Sequence, residues 1–338
     1  MSGLERGGDA GLMEPPVLVA PDSFKGTHSA PDVAAWLCEG FEAGGRAAVA
    51  CPLADGGEGT VAALTAGLQS ERVALTVADP LGRPVDAGYT LIDGGRTAIV
   101  ETAEAIGLVL LAEDERDPER ASSAGAGELI AAAAQGGAEE VLVCLGGSAT
   151  VDAGIGLMSA INDSGGTGEA KLTVVCDVRA TWEQAAPLFG PQKGADEAAV
   201  GRLSRELDSV ADTLRKDPRG VMYTGAAGGV SGALWAEYGA KLVPGAPFVL
   251  DRIGFDRRMR ASRAVIVGEG RMDSTTLLGK APGEAATRAR QAGVPCAAVC
   301  GINALDPVEA RIIDLQVVIE AGEPDSLRAA GERLAALI

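Results

Sequence analysis

Four short segments and one isolated acid place the groups needed for phosphate chemistry close together in the chain. The segments are Asp22-Ser23-Phe24-Lys25-Gly26, Asp55-Gly56-Gly57-Glu58-Gly59, Gly146-Gly147-Ser148-Ala149-Thr150-Val151-Asp152 and Gly268-Glu269-Gly270-Arg271-Met272-Asp273; the acid is Asp177. Glycine beside an acid or hydroxyl lets the backbone approach a ligand and take positive φ, so that consecutive N–H groups can face an anion. Phosphoryl transfer asks for carboxylates to hold magnesium, cations and N–H groups to steady phosphates, and a base or positioning acid beside the attacking hydroxyl. Here the acids are Asp22, Asp55, Glu58, Asp152, Asp177, Glu269 and Asp273, and the cations are Lys25, Lys193, Arg271 and Lys280. Ser148, Thr150, Ser274 and Thr276 supply hydroxyls. His28 is the only histidine, so an aspartate is the natural base for an alcohol.

Other chemistries lack their parts. Cys296 and Cys300 have no neighbouring His or further Cys, which argues against zinc, and a single histidine argues against a Ser-His-Asp triad. Gly279-Lys280 is followed by Ala281 and has no glycine five residues before Gly279, so it is not a P-loop. Neither Gly225-Ala226-Ala227-Gly228-Gly229 nor Gly125-Ala126-Gly127 has dinucleotide spacing, which disfavours a nicotinamide-dependent hydroxy-acid dehydrogenase. A metabolite-binding protein is a further alternative, but binding alone needs no such collection of acids.

The elements that must position these groups follow from hydrophobic pattern. Pro16–Ala20 is a short apolar run that stops at Pro21-Asp22-Ser23, as a buried strand delivering polar residues at its carboxyl end would. A helix follows, with Pro31 in its first turn, an apolar stripe at Val33, Trp36, Leu37 and Phe41, and a stop at Gly44-Gly45. A strand over 47–51 and a helix from Thr60 to about Leu68 continue the alternation. Short strands at 73–77, 88–92 and 97–101, separated by turn signals, form a β-rich segment. Strands at 141–145 and 172–176, a helix between 123 and 135 and a long helix capped by Asp196 come next. The tail alternates again, with strands at 264–268, 295–300 and 315–319 and helices at 281–292 and 325–337. Polar clusters at strand ends are where open α/β sheets bind ligands.

Composition agrees. Of 338 residues 47% are hydrophobic and only 3% aromatic, so the core is aliphatic and large enough for two domains. The 29 Lys and Arg face 47 Asp and Glu, a net charge of −18, which repels nucleic acid and anionic membrane surfaces alike. The cysteines in or beside apolar runs read as buried free thiols. The first 14 residues read as a flexible tail without the apolar core of a signal peptide, which gives a cytoplasmic expectation.

Taken together, Ala20–Gly26, Ala54–Thr60, Gly146–Gly154, Gly190-Pro191-Gln192-Lys193-Gly194-Ala195, Gly225–Gly229, Gly268–Asp273 and Gly279–Pro282 resemble the bacterial glycerate kinases of the type-1 family, in order from about Val17 to the C-terminus. The resemblance implies an ATP- and magnesium-dependent kinase acting on D-glycerate and yielding phosphoglycerate, the 2-phospho form being expected. It implies a Rossmann-like three-layer domain (15–70 and 260–338) interrupted by a second α/β domain (71–259); a monomer or homodimer is expected. From the acid- and lysine-bearing loops at strand ends, Asp22, Lys25, Asp55 and Asp177 are expected in catalysis and Asp152 and Asp273 at magnesium. Substrate and nucleotide binding falls to Ser23, Gly56, Gly57, Glu58, Gly146, Gly147, Ser148, Thr150, Lys193, Gly228, Gly229, Glu269, Arg271, Thr276 and Lys280. Two stretches depart from the family pattern: the connection between Met158 and Leu172 is short, and Asp177-Val178-Arg179-Ala180-Thr181-Trp182 lacks the family's Asn-Pro. A kinase for another small hydroxy acid is the alternative these departures leave.

Overall fold

The structure, a computed structural model, describes residues 14–24 and 26–338. Lys25 and the expected tail up to residue 13 lie outside the described residues. Glu14, which the sequence places in that tail, is instead held by ion pairs to Arg46 and Arg263.

Among the described residues, eleven strands form two sheets: β1 (Val17–Pro21), β2 (Ala48–Ala50), β3 (Glu71–Ala78), β4 (Pro84–Ile92), β5 (Thr97–Glu101), β6 (Glu140–Leu145), β7 (Lys171–Cys176), β8 (Lys241–Pro244), β9 (Ala264–Met272), β10 (Cys296–Asn303) and β11 (Leu315–Glu320). The first sheet runs β11-β10-β9-β1-β2 and is parallel throughout. The second runs β3-β4-β5-β6-β7-β8, antiparallel from β3 to β5 and parallel from β5 to β8. The chain is therefore α/β, with the β-rich segment forming one edge of the second sheet.

Continuous apolar runs arise because both faces of each sheet are covered. In β1, Val17 and Val19 pack with Val33, Leu37, Phe41 and Leu327, whereas Leu18 and Ala20 pack with Leu250, Phe255 and Ala285. In β6, Val141, Val143 and Leu145 face one cluster and Leu142 and Cys144 another. Each sheet is thus the middle layer of three.

Local signals set the helices around them. Ser29 caps Ala30–Ala43 through the Asp32 N–H, and Asp196 caps Glu197–Ala211 through the Ala199 N–H at 2.7 Å. The helix expected to reach Leu68 stops at Thr65, because the chain turns at Gly67 with φ +77°. Helix Val230–Tyr238 and strand β8 give no clear sequence signal: Val230, Gly232, Ala233, Leu234 and Ala236 are all buried, so the helix has no polar face to reveal its period.

Packing does not respect the limits that sequence suggests at 70/71 and 259/260. Ala63 and Leu64 pack with Ile99, Leu142 and Val175 under the second sheet. Phe255 and Met259 join the core of the first sheet, and helix Gly245–Arg252 divides itself, with Ala246 and Leu250 in that core and Val249 in the other. Apolar side chains follow the nearest uncovered sheet face rather than chain order. No helix among the described residues is long and apolar enough to cross a membrane.

Candidate active site

The first sheet reverses its strand order between β1 and β9, the kind of switch point at which open α/β sheets form a crevice. A cavity of about 540 Å³ lies there, and Asp22, Ser23, Asp55, Glu269, Arg271 and Lys280 all line it. Asp22 follows β1 directly, with its N–H donating to the Gly268 carbonyl at 2.8 Å, while Glu269 and Arg271 lie within β9 itself. Asp22, Asp55 and Glu269 are 6, 7 and 6% exposed, so three carboxylates are sunk into one wall. Glu269 accepts from Lys280 Nζ at 2.7 Å and from Thr276 Oγ1 at 2.6 Å. Burial pushes its carboxyl above the usual range, and those two hydrogen bonds pull it partly back.

Asp273 caps the short helix Ser274–Leu278, accepting from the Thr275 N–H at 2.9 Å and from the Thr275 hydroxyl. The Thr275 hydroxyl in particular holds its carboxyl below the ordinary value.

Asp55 opens a loop that ties the two sheets together. Its carboxylate accepts from the Gly57 N–H at 3.2 Å. Gly57 lies so close to Gly146, at the end of β6, that a Cβ on Gly146 would sit 2.4 Å from the Gly57 Cα. Gly56, at φ +98°, packs on Val175 of β7. Glu58 and Gly59 line a smaller cavity of about 230 Å³ with Ser23, Thr27 and His28. His28 itself stacks edge-on against Trp36, with ring centroids 4.9 Å apart.

At the carboxyl ends of β6 and β7 a further cavity of about 210 Å³ is lined by Gly146, Gly147, Ser148, Asp177 and Lys193. Lys193 is 3% exposed and donates to Ser148 Oγ at 3.0 Å and to the Thr150 carbonyl at 2.7 Å. Burial pushes its ammonium down to about 8, against the opposing pull of Asp177 and Asp152. A buried lysine beside a hydroxyl in a small cavity is suited to an anionic ligand group.

Similarity to known proteins accompanies this geometry. The model of the "Glycerate kinase family" matches residues 17–164 and 162–336. A glycerate kinase of Halalkalibacterium halodurans is 35% identical over 84% of this chain and 85% of its own length, and the glycerate 2-kinase of Escherichia coli is 35% identical over 84% of each. A crystal structure from Salmonella typhimurium LT2, assigned as glycerate kinase 2, superposes with a TM-score of 0.81 at 30% identity over 96% of this chain and 98% of that one. The chain belongs to the glycerate kinase family. Glycerate kinases are phosphotransferases with an alcohol acceptor, and ATP is the donor that kinase membership implies.

Within this glycerate kinase framework the expected residues divide into lining and supporting positions. Thr276 is fully buried behind Glu269. Gly228, at φ +67°, is pressed against the Thr150 carbonyl, where a Cβ would sit 2.1 Å away, and Gly229 packs on Ala153 and Trp182. Both expected binding glycines therefore back the Lys193 cavity, which Ala227 lines instead. Thr150 likewise offers its carbonyl to Lys193, while its hydroxyl is buried without a hydrogen-bond partner among the described residues.

The two acids expected at magnesium make different contacts. Asp152 spends its oxygens within the fold, accepting from the Ser123 N–H and hydroxyl at 2.8 Å each, the Gly154 N–H at 3.1 Å and the Gly156 N–H at 3.2 Å. Asp273 follows β9 of the first sheet, and its Oδ2 accepts from Arg271 Nε at 3.3 Å. Magnesium needs one or two carboxylates beside phosphate oxygens and water. Asp273 fits that requirement and Asp152 does not. No group of three or more His, Cys, Asp or Glu able to hold an ion occurs among the described residues.

One residue outside the sequence expectations borders the site. Glu101, the last residue of β5, accepts from the Val61 N–H at 2.7 Å. It stands in no glycine-rich cluster, so its only sequence signal is an acid at the end of an apolar strand.

Proposed function

We propose that this chain phosphorylates D-glycerate with ATP, giving phosphoglycerate and most simply 2-phosphoglycerate. The observation that carries the reading is the convergence of buried Asp22, Asp55 and Glu269 with Lys280 and Arg271 in one cavity at the switch point. Lys280 and Arg271 hold phosphate oxygens. Asp22 or Asp55 positions the substrate hydroxyl and takes its proton as the oxygen attacks the γ-phosphorus and ADP leaves. Magnesium, held by Asp273, would neutralise charge on the phosphates. Lys193, with Ser148 and Asp177, faces a second anionic group, such as the glycerate carboxylate, across the Asp55–Gly59 loop. Lys25 belongs to the same reading as a cation after β1.

A second reading keeps the kinase and changes the acceptor to another small hydroxy acid. It is favoured by the segment that lacks the family's Asn-Pro: Asp177 and Val178 line the Lys193 cavity, Arg179 is exposed, and Trp182 turns into the core, its Nε1 donating to the Leu207 carbonyl at 3.0 Å. We place the activity in the cytoplasm, in a monomer or homodimer whose partners are small molecules.

An ADP-coupled panel of D-glycerate, L-glycerate, tartronate and glycerol, with phosphorus NMR of the product, tests both readings. D-Glycerate is expected to turn over fastest. A faster hydroxy acid would favour the second reading, and no turnover with any of them would overturn the first.

A further inference from the structure

The Asp55–Gly59 loop lines the large cavity through Asp55, lines the small Ser23–Glu58 cavity through Glu58 and Gly59, and touches the end of β6 through Gly57. Its amino end is fixed where the Asp55 carbonyl meets Gly245 in van der Waals contact, and its middle is fixed by Gly57 against Gly146. Its carboxyl end runs into the two-turn helix Thr60–Thr65, where Thr60 Oγ1 donates back to the Gly57 carbonyl at 2.7 Å. The N–H groups opening that helix have no side-chain cap of their own. They are met from the other sheet: Glu101 accepts from the Val61 N–H at 2.7 Å, and the Gly59 N–H also stabilises its carboxylate.

We propose that Glu101 is a positioning residue for phosphoryl transfer, its carboxylate reaching from the end of β5 to hold the Asp55–Gly59 loop in the geometry that sets Asp55. The inference rests on the kinase reading above. Glu101 lines none of the three cavities and acts through the loop.

The groups that face it come from every element around it. Glu58 on the loop and Glu104 on the following turn add negative charge. Arg72 on β3 neutralises Glu104 through a 2.7 Å ion pair, and the Cys144 thiol lies beside it on β6. Burial first, and these acids second, push the Glu101 carboxyl up to about 7, against the pull of the Val61 and Gly59 N–H groups. Protonation at lower pH replaces a charge-assisted acceptor by a neutral one, so the hold on the loop weakens below neutrality.

The test compares wild type, Glu101→Gln and Glu101→Asp in two measurements. In steady-state kinetics, Glu101→Gln is expected to lower kcat about tenfold at pH 8 with little change in the ATP KM. It should also flatten the fall in kcat that wild type shows between pH 8 and 6, because the amide mimics the protonated acid. Glu101→Asp keeps the titration but is one methylene too short, so it should lower kcat while retaining the slope. A purely structural role would lower melting temperature without flattening the profile. In hydrogen exchange at pH 8, the amides of residues 57–61 should exchange several-fold faster in Glu101→Gln than in wild type. An active wild type with unchanged profile and unchanged protection in Glu101→Gln overturns the positioning role. An inactive wild type overturns the kinase reading instead, and the exchange measurement still decides whether Glu101 holds the loop.

Discussion

Lys193 Nζ lies 3.0 Å from Ser148 Oγ, which joins the Gly190–Ala195 segment to the loop after β6 although 45 residues separate the two side chains in sequence. The lysine is buried, donates to Ser148 Oγ and the Thr150 carbonyl, feels the charges of Asp177 and Asp152, and lines a cavity of about 210 Å³. That arrangement makes the charge available to a ligand and costly without one.

The pH dependence of Lys193 follows in two directions. Its ammonium is pushed down to about 8 from 10.5, so between those values the unfolded chain binds the proton more readily than the folded one. The folding cost of burying the charge is therefore present in full below pH 8 and is relieved as pH rises toward 10.5. Ligand affinity runs the opposite way: binding of the anionic substrate should weaken about tenfold by pH 9 as the charge is lost. Lys193→Met should remove this slope and cost roughly 10- to 100-fold in kcat/KM at pH 7. A variant that kept both the slope and the affinity would show that the charge plays no part in binding.

Lys280→Ala strands Glu269, whose other partner is the Thr276 hydroxyl at 2.6 Å. The lysine is partly exposed, so the loss belongs at the low end for a broken buried pair, roughly 2–3 kcal/mol at pH 8. Because burial already raises the Glu269 carboxyl, its ionisation costs the folded state as pH climbs, and a protonated Glu269 needs no cation. Urea unfolding should therefore show a smaller deficit at pH 5 than at pH 8. Turnover should fall at both.

Asp273→Asn separates capping from catalysis. The amide oxygen can still accept from the Thr275 N–H, so stability should fall by no more than about 1 kcal/mol. Its carboxyl is held below the ordinary value, so the wild-type contribution is present above that value and is lost only as pH falls through the lowered one. At pH 7.5 turnover should drop at least about 100-fold, and the magnesium concentration for half-maximal rate should rise. Titrating magnesium in both proteins checks this, and an unchanged half-maximal concentration would remove Asp273 from the metal.

Gly146→Ala tests the contact between the sheets. A methyl group there would lie 2.4 Å from the Gly57 Cα, and backbone on both sides leaves no flexible side chain to yield. Overpacking of this kind costs about 1–3 kcal/mol. Because the displaced loop carries Asp55, kcat should fall further than the change in melting temperature alone accounts for. Gly147→Ala is not an equivalent control, since Gly147 takes φ +64° and is strained by any side chain.

The alternating fold and the identity of its chemical segments were legible in the sequence. Runs such as 17–20 and 141–145 are apolar throughout because both sheet faces are covered, and each runs into a polar segment because a strand's carboxyl end opens onto the crevice. Asp196 and the apolar spacing after it announced a capped helix for the same local reason. Tertiary structure alone decided which chemical residues meet. Asp22, Asp55 and Glu269 converge because β9, late in the chain, inserts beside β1, whereas Asp152 is drawn into the fold by Ser123 and two backbone N–H groups after it. Gly228 and Gly229 look like ligand glycines in one dimension, and the fold packs them against Thr150, Ala153 and Trp182, because close backbone approach serves either purpose. Glu101 was invisible for a related reason. A lone acid at a strand end gains its role only from the helix start that the fold places 2.7 Å away, and no pattern within a short stretch of sequence encodes a contact between residues 40 positions apart.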